Sequence, residues 1–184
     1  MPNQAPRVYL AGPDVFDPQA ASVFTRLCAQ ARRLGLEPVP PVDAEPHVRA
    51  AASPRDASMR IFNANVKLLT TVDAVVANLR DFRGNEPDSG TVFEVGFAVA
   101  KGLPVVGYGV PAGCYAHRVA SAVPCERGKD GQLREAGNQF LVEDFGNPLN
   151  LMLACSVELA PDAEESLRKV AQLLGAGGVH EEGR

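Results

Sequence analysis

The chain has 184 residues, close to the length of one domain and too short for two of full size. Apolar residues make up 46% of it and charged residues 22%, proportions of a soluble globular protein that exclude a disordered or fibrous chain. The 18 Lys and Arg against 22 Asp and Glu give a net charge of −4, without the basic excess that binds a phosphate backbone, so nucleic acid is not an expected partner.

The first elements alternate between strand and helix. Residues 7–12 form a short apolar run that ends in Gly-Pro-Asp, which predicts a buried strand followed by a loop at its carboxyl end. This loop, which begins at Gly12, is a candidate binding site. Apolar residues at helical spacing predict a helix over residues 18–34, stopped by Gly35 and followed by a short strand over residues 36–39.

The next helix has a strong start signal. Ser53 supplies a capping hydroxyl, Pro54 stands at the first helical position, and Asp56 places an acid in the first turn. We expect this helix to run to about Thr70. Residues 72–79 are almost continuously apolar, as expected of a strand that is covered on both faces in a parallel sheet.

A further helix is predicted over residues 89–101, closed by Gly102, with another strand over residues 104–108. The alternation of strand and helix up to this point predicts an α/β fold, a doubly wound parallel sheet with helices on both faces. Ligands bind to such sheets outside the carboxyl ends of the strands.

The last third of the chain has a weaker pattern. Residues 111–139 are rich in Gly, Pro and charge and predict an irregular segment, which in a compact domain is usually functional or mobile. After it we expect a short strand over 140–142 and helices over 148–156 and 162–174. The prediction is a single domain over residues 1–175 and a flexible tail over 176–184.

Two acidic residues stand near the start of the helix over residues 89–101. Glu94 lies among apolar residues in the first turns, and Asp88 lies on the preceding loop, so both carboxylates can face one crevice. Tyr9 lies within the first strand, and its hydroxyl needs a partner if buried, for which Glu94 is available. Asp73, at the opposite strand end, is better explained as a turn or cap residue.

Several other site types are not predicted. The four cysteines and three histidines lack the spacing of a zinc site, so no metal is expected. The chain has no nucleophile elbow and no phosphate-binding glycine motif, and Asp88 would repel a phosphate, so a neutral polar ligand fits better. Without an apolar run of about 18 residues or a signal peptide, we expect a cytoplasmic protein that does not bind a membrane.

Four blocks of the sequence together resemble the nucleoside 2-deoxyribosyltransferase family: VYLAGP at 8–13, DAVVANL at 73–79, DSGTVFEVGFA at 88–98 and NPLNLM at 147–152. The resemblance implies a flavodoxin-like fold and a pentosyltransferase of nucleoside salvage that exchanges the base of a 2′-deoxynucleoside without a cofactor. It also implies nucleosides and free bases as small-molecule partners, and a homo-oligomer whose active sites are completed by a neighbouring subunit.

The resemblance also implies roles for individual residues. Glu94 matches the nucleophile that attacks C1′ of the deoxyribose, Tyr9 the tyrosine that orients it, and Asp88 the acid that binds the sugar hydroxyls. Asn150 and Met152 match the segment lent by the adjacent subunit, with the amide on the 5′ end of the sugar.

At Asn65 the sequence departs from the family pattern, and two alternative functions remain open. Asn65 stands where some members carry an acid near the leaving base, so the proton donor to the base is not identified. One alternative is an N-glycoside hydrolase acting on nucleosides or on deoxynucleoside 5′-monophosphates, and another is a non-catalytic nucleotide-binding module. Asp88 weighs against a substrate with a 5′-phosphate, which carries close to two negative charges.

Overall fold

The computed structural model describes residues 4–42 and 52–176. Seven strands are present in this part of the chain: β1 (Arg7–Ala11), β2 (Glu37–Val39), β3 (Ala74–Asn78), β4 (Val105–Tyr108), β5 (Cys125–Arg127), β6 (Leu133–Glu135) and β7 (Glu158–Leu159). The described α-helices are α1 (Ala20–Arg33), α2 (Pro54–Leu69), α3 (Ser89–Ala100), α4 (Tyr115–Ala122), α5 (Leu151–Ala154) and α6 (Ala163–Leu173), and a 3-10 turn covers Pro13–Phe16.

Five strands form one parallel sheet in the order β2-β1-β3-β4-β7. Tyr9 of β1 lies opposite Val75 of β3, which in turn lies opposite Val105 of β4. This is the flavodoxin-like strand order, in which the direction of winding reverses between β1 and β3. The predicted fold class is therefore confirmed.

The strands are apolar on both sides because helices cover both faces of the sheet. Successive side chains of a strand point to opposite faces. Val8 and Leu10 of β1 pack with α1 and α6, which contribute residues such as Leu27 and Leu167. The intervening Tyr9 packs on the other face, with residues of α2 and α3 that include Leu69 and Val95.

Helix ends follow the predicted signals. The Ser53 hydroxyl accepts a hydrogen bond from the Asp56 amide at 3.1 Å, with Pro54 in the first turn of α2. Gly35 and Gly102 adopt φ values of 75° and 72° after α1 and α3, a conformation that side-chain-bearing residues rarely adopt.

The structure corrects two predictions for the last third of the chain. Residues 111–139 are not irregular, because they contain α4 and an antiparallel hairpin of β5 and β6. The strand predicted over 140–142 is only an isolated bridge between Leu141 and Arg134, since Phe140 and Leu141 stay exposed instead of entering the core. The strand β7, which sequence analysis missed, forms the edge of the main sheet.

Two other predictions concern residues beyond the described ranges. The predicted tail lies almost wholly outside the described residues, and so does His47, one of the three histidines. Within the described ranges, the helices are all too short or too polar to cross a bilayer.

The core position of α6 leads to a stability prediction. Leu167 is fully buried against the sheet, whereas Leu173 on the same helix is 52% exposed. We expect Leu167→Ala to lower the free energy of unfolding by about 2–5 kcal/mol, because it removes buried methyl groups and leaves a cavity. Leu173→Ala is the matched control and should change it by less than about 1 kcal/mol in urea denaturation. Equal effects of the two substitutions would contradict the described packing of α6.

Candidate active site

The candidate site lies where the winding of the sheet reverses. The loops that follow β1 and β3 leave the sheet in opposite directions at this point and open a crevice between them. The loop after β1 begins with Gly12, and the loop after β3 leads to Asp88 and α3. The site residues predicted between Tyr9 and Glu94 meet around this crevice.

Tyr9 and Glu94 form the central contact of the site. The Tyr9 side chain is fully buried in β1, and its hydroxyl donates a hydrogen bond of 2.6 Å to Oε1 of Glu94. The two residues are 85 positions apart in the chain. A hydrogen bond from a residue of a central strand fixes the orientation of the half-buried carboxylate in the second turn of α3.

Asp88 serves as the N-cap of α3. Its Oδ2 accepts hydrogen bonds from the Thr91 amide at 2.9 Å and from the Thr91 hydroxyl at 3.1 Å. Gly90 lies close beside it, since a Cβ at that position would come within 3.0 Å of the same oxygen. The cap fixes the Asp88 carboxylate at the wall of the crevice, with Oδ1 not engaged in these two bonds.

Asn65 and Gly12 form other parts of the wall. Oδ1 of Asn65 accepts a hydrogen bond from the Val42 amide at 3.0 Å, which joins α2 to the chain after β2. A Cβ at Gly12 would come within 2.6 Å of Oδ2 of Asp14 and 2.8 Å of Cβ of Asn78, so only glycine allows this close approach of the loop to β3.

The crevice has a volume of about 170 Å³. Its apolar wall includes Phe16, Phe62 and Phe93, and the polar groups converge from Asn65, Thr91 and the two carboxylates. Ligand pockets commonly measure about 300–1,000 Å³, so the described residues form only part of an enclosure. Among the lining residues that the structure describes, Asp88 and Glu94 carry the only charges, and both are negative.

Sequence analysis missed a buried pair at the same strand ends. Asp14 and Asn78 are 7% and 6% exposed, and Nδ2 of Asn78 donates to both carboxylate oxygens of Asp14, at 3.1 and 3.0 Å. The pair joins the 3-10 turn after β1 to the end of β3. Burial raises the pKa of Tyr108 above its usual value, and the negative charge of Asp14 raises it further. Both residues lie at the ends of apolar runs, but their contact depends on β1 and β3 being neighbours. The order of strands in a sheet cannot be read from the sequence pattern alone.

An aromatic stack at the rim of the crevice was also missed. The rings of Phe16 and Phe82 are stacked with centroids 5.3 Å apart, and the guanidinium of Arg83 lies 4.7 Å from the Phe82 centroid. Phe16 is 55% exposed and lines the crevice. The stack therefore connects the wall of the crevice with the loop that leads to Asp88.

Three residues considered in the sequence analysis lie away from the crevice. Asn150 caps α5, with its Oδ1 accepting a hydrogen bond from the Leu153 amide at 3.2 Å, and Met152 is 73% exposed. Neither residue lines the crevice of its own chain. Asp73 lies at the amino end of the sheet, where its Oδ2 accepts a hydrogen bond from the Arg7 amide at 2.7 Å.

Known proteins resemble this chain in sequence and in fold. The family model described as nucleoside 2-deoxyribosyltransferase matches residues 8–152. An uncharacterised protein of Schizosaccharomyces pombe is 32% identical over 121 residues, which are 65% of this chain and 57% of that protein. The chain thus spans little more than half the length of this curated relative.

Two solved structures are similar over nearly their whole length. A 2-deoxyribosyltransferase from Leishmania mexicana is 26% identical with a TM-score of 0.69, and the match covers 91% of this chain and 97% of that one. A conserved protein from Enterococcus faecalis V583 is 25% identical with a TM-score of 0.56, covering 91% and 98%. The family model matches most of the sequence, and the fold agrees with it: the chain belongs to the nucleoside 2-deoxyribosyltransferase family.

Proposed function

We propose that this protein transfers the 2-deoxyribosyl group of a 2′-deoxynucleoside from one base to another, with Glu94 as the nucleophile. The observation that carries the proposal is the Glu94 carboxylate, held by the buried Tyr9 hydroxyl at the wall of a crevice outside the strand ends. Family membership supports an enzyme that acts on nucleosides, either a transferase or an N-glycosidase. The site residues support the finer assignment.

The reaction divides into two displacements at C1′. In the first, a carboxylate oxygen of Glu94 bonds to C1′ while the bond from C1′ to the base nitrogen breaks, and the electron pair leaves with the base. In the second, a nitrogen of the incoming base bonds to C1′ and gives up its proton to solvent, while the bond from C1′ to the Glu94 oxygen breaks and its electron pair returns to the carboxylate. Both steps pass through a state with positive charge on the sugar, which the negative charge of Glu94 stabilises. A 2-deoxy sugar reaches this state readily, because it lacks an electron-withdrawing 2-hydroxyl group.

The other site residues bind the substrate. Asp88 accepts hydrogen bonds from sugar hydroxyls through the oxygen that does not cap α3. Asn65 is an amide and transfers no proton, so the leaving base takes its proton from another donor. If water reaches C1′ before the second base, the same intermediate gives free deoxyribose, and the hydrolase alternative differs from the transferase in this step alone.

The proposal includes a homo-oligomer with shared active sites. The crevice of one chain is only partly enclosed, and Phe16, Phe62 and Phe93 in its wall are each about half exposed. A second group of exposed apolar side chains lies in or near α5: Leu141, Phe145 and Met152. Exposed apolar clusters of this kind are typical of protein interfaces. Leu149 and Leu153 pack in the core of their own chain, so α5 is a rigid support for Asn150 and Met152.

The first functional prediction concerns Glu94. Glu94→Gln keeps the shape of the side chain and removes its charge, so turnover should fall by several orders of magnitude while binding of the base survives. The control is Asp73→Asn at the amino ends of the strands, away from the crevice, which should keep turnover within about twofold of the wild-type value. If Glu94→Gln retains more than about a tenth of the turnover, less than roughly 1.4 kcal/mol of the barrier depends on it and the assignment is wrong.

The second prediction concerns the substrate. Incubating the protein with a deoxynucleoside and a different free base should give a new nucleoside, detected by chromatography. Free deoxyribose instead would indicate the hydrolase, and unchanged reactants would indicate a binding module. The corresponding 5′-monophosphate should react more slowly at equal concentration, since both charges lining the described wall are negative. A preference for the monophosphate would contradict the assigned role of Asp88.

The third prediction tests the shared site. Glu94→Gln and Asn150→Asp should each be inactive, and an aspartate at 150 can still cap α5. When the two variants are refolded together, some interfaces combine a wild-type Glu94 with a wild-type Asn150, so part of the activity should return. A monomeric protein with no recovery on mixing would reject the shared-site arrangement.

A further inference from the structure

The proposed function assigns no role to helix α4, although the helix lies between two loops that lead to site residues. The β3–α3 loop, residues 79–88, ends at Asp88 in the crevice of its own chain. The β6–α5 loop, residues 136–150, ends at Asn150, which the proposed function places in a neighbouring site. Contacts of α4 with each loop are made by its first turns.

Two hydrogen bonds join α4 to the β6–α5 loop. The amide of Tyr115 donates to the Asn147 carbonyl at 2.7 Å, and Nη1 of Arg118 donates to the Pro148 carbonyl at 2.6 Å. Both acceptors lie within three residues of Asn150. Helix α4 therefore holds the chain immediately before the α5 cap.

The same two residues of α4 contact the β3–α3 loop. The Tyr115 hydroxyl donates to Oε1 of Glu86 at 2.5 Å, and Nδ2 of Asn85 donates to the Arg118 carbonyl at 3.5 Å. Burial of Tyr115, and then its hydrogen bond to Glu86, raise the pKa of its hydroxyl, which remains a donor at neutral pH. The residues in contact lie just before Asp88, so this end of the loop also depends on α4.

Stability alone does not explain the presence of Arg118. Its side chain is 11% exposed, and its Nε lies 3.9 Å from Oδ2 of Asp81, beyond hydrogen-bond length. Within the described ranges, Nε and Nη2 of Arg118 have no hydrogen-bond partner. A buried guanidinium with this little compensation costs desolvation energy, and apolar replacement of such a group is often neutral or stabilising. The bond to Pro148 and the approach to Asp81 instead fix the distance between the two loops.

We propose that α4 is a brace that holds Asp88 of one site and Asn150 of the adjacent site in fixed positions, with Arg118 and Tyr115 as its positioning residues. The inference rests on the proposed function for the assignment of Asp88 and Asn150 to substrate binding. Glu94 is held separately, by Tyr9 from β1. Loosening the brace therefore weakens substrate binding more than it slows the chemical step.

The test uses two variants of the full chain. Arg118→Met fills the same space without the donors, and Tyr115→Phe removes one hydroxyl and remains informative if the first variant does not fold. We expect faster amide hydrogen exchange in both loops of Arg118→Met and in the β3–α3 loop of Tyr115→Phe, with a rise in KM for the deoxynucleoside of about tenfold and a change in kcat of no more than about twofold. Arg134→Met is the matched control, because the side chain of Arg134, in the same segment, bonds to Asp130 and Gln132 and to neither loop. Arg134→Met should leave the hydrogen exchange of both loops, KM and kcat unchanged.

Other outcomes would overturn the brace. Unchanged exchange in the β3–α3 loop of folded variants, or equal losses in kcat and in binding, would contradict it. So would the same change in the Arg134→Met control. If the wild-type protein turns over no deoxynucleoside, the proposed function fails, and the exchange of the two loops still decides whether α4 joins them.

Discussion

The hydrogen bond between Tyr9 and Glu94 is the interaction on which the site depends. A tyrosine hydroxyl buried in a central strand requires an acceptor, and the parallel arrangement of β1 and β3 brings the start of α3 within reach of it. The hydrogen bond that the buried Tyr9 hydroxyl needs therefore also fixes the orientation of the Glu94 carboxylate at the wall of the crevice. Asp88 follows the same logic, because the hydrogen bonds by which one of its oxygens caps α3 also fix the carboxylate at the wall of the crevice. Structural bonds of this kind hold both carboxylates in place in the absence of a ligand.

Much of the fold could be predicted, because its local signals are strong. Ser53 and Pro54 identify the start of α2, and the continuous apolar run before Leu79 identifies a strand that is covered on both faces. The signals failed between 111 and 139, where α4 is short and the β5–β6 hairpin stays largely outside the core. A hairpin without a buried face has no alternation of apolar residues, so its strands leave no pattern to detect.

The candidate site was predictable where the signals for its residues lie within one short segment of the sequence. The run from Asp88 to Glu94 does so, and the need of a buried Tyr9 for a partner suggested its contact with Glu94. The pairing of Asp14 with Asn78 was not predictable, since it depends on which strands are neighbours. The stack of Phe16 on Phe82 is a further long-range contact between two loops, for which no local sequence rule exists. Sequence reasoning therefore found the residues of the proposed chemistry more readily than those that support them.

A nucleophilic Glu94 forms a covalent bond with the sugar, and mass spectrometry of the protein can detect that bond. The protein is mixed with a deoxynucleoside in the absence of an acceptor base, quenched in acid, and digested for peptide mapping. We expect the peptide containing Glu94 to gain the mass of one deoxyribosyl group, and the addition of a second base before the quench to remove that mass. Release of free base with no modified peptide, or modification of a residue other than Glu94, would show that Glu94 is not the nucleophile.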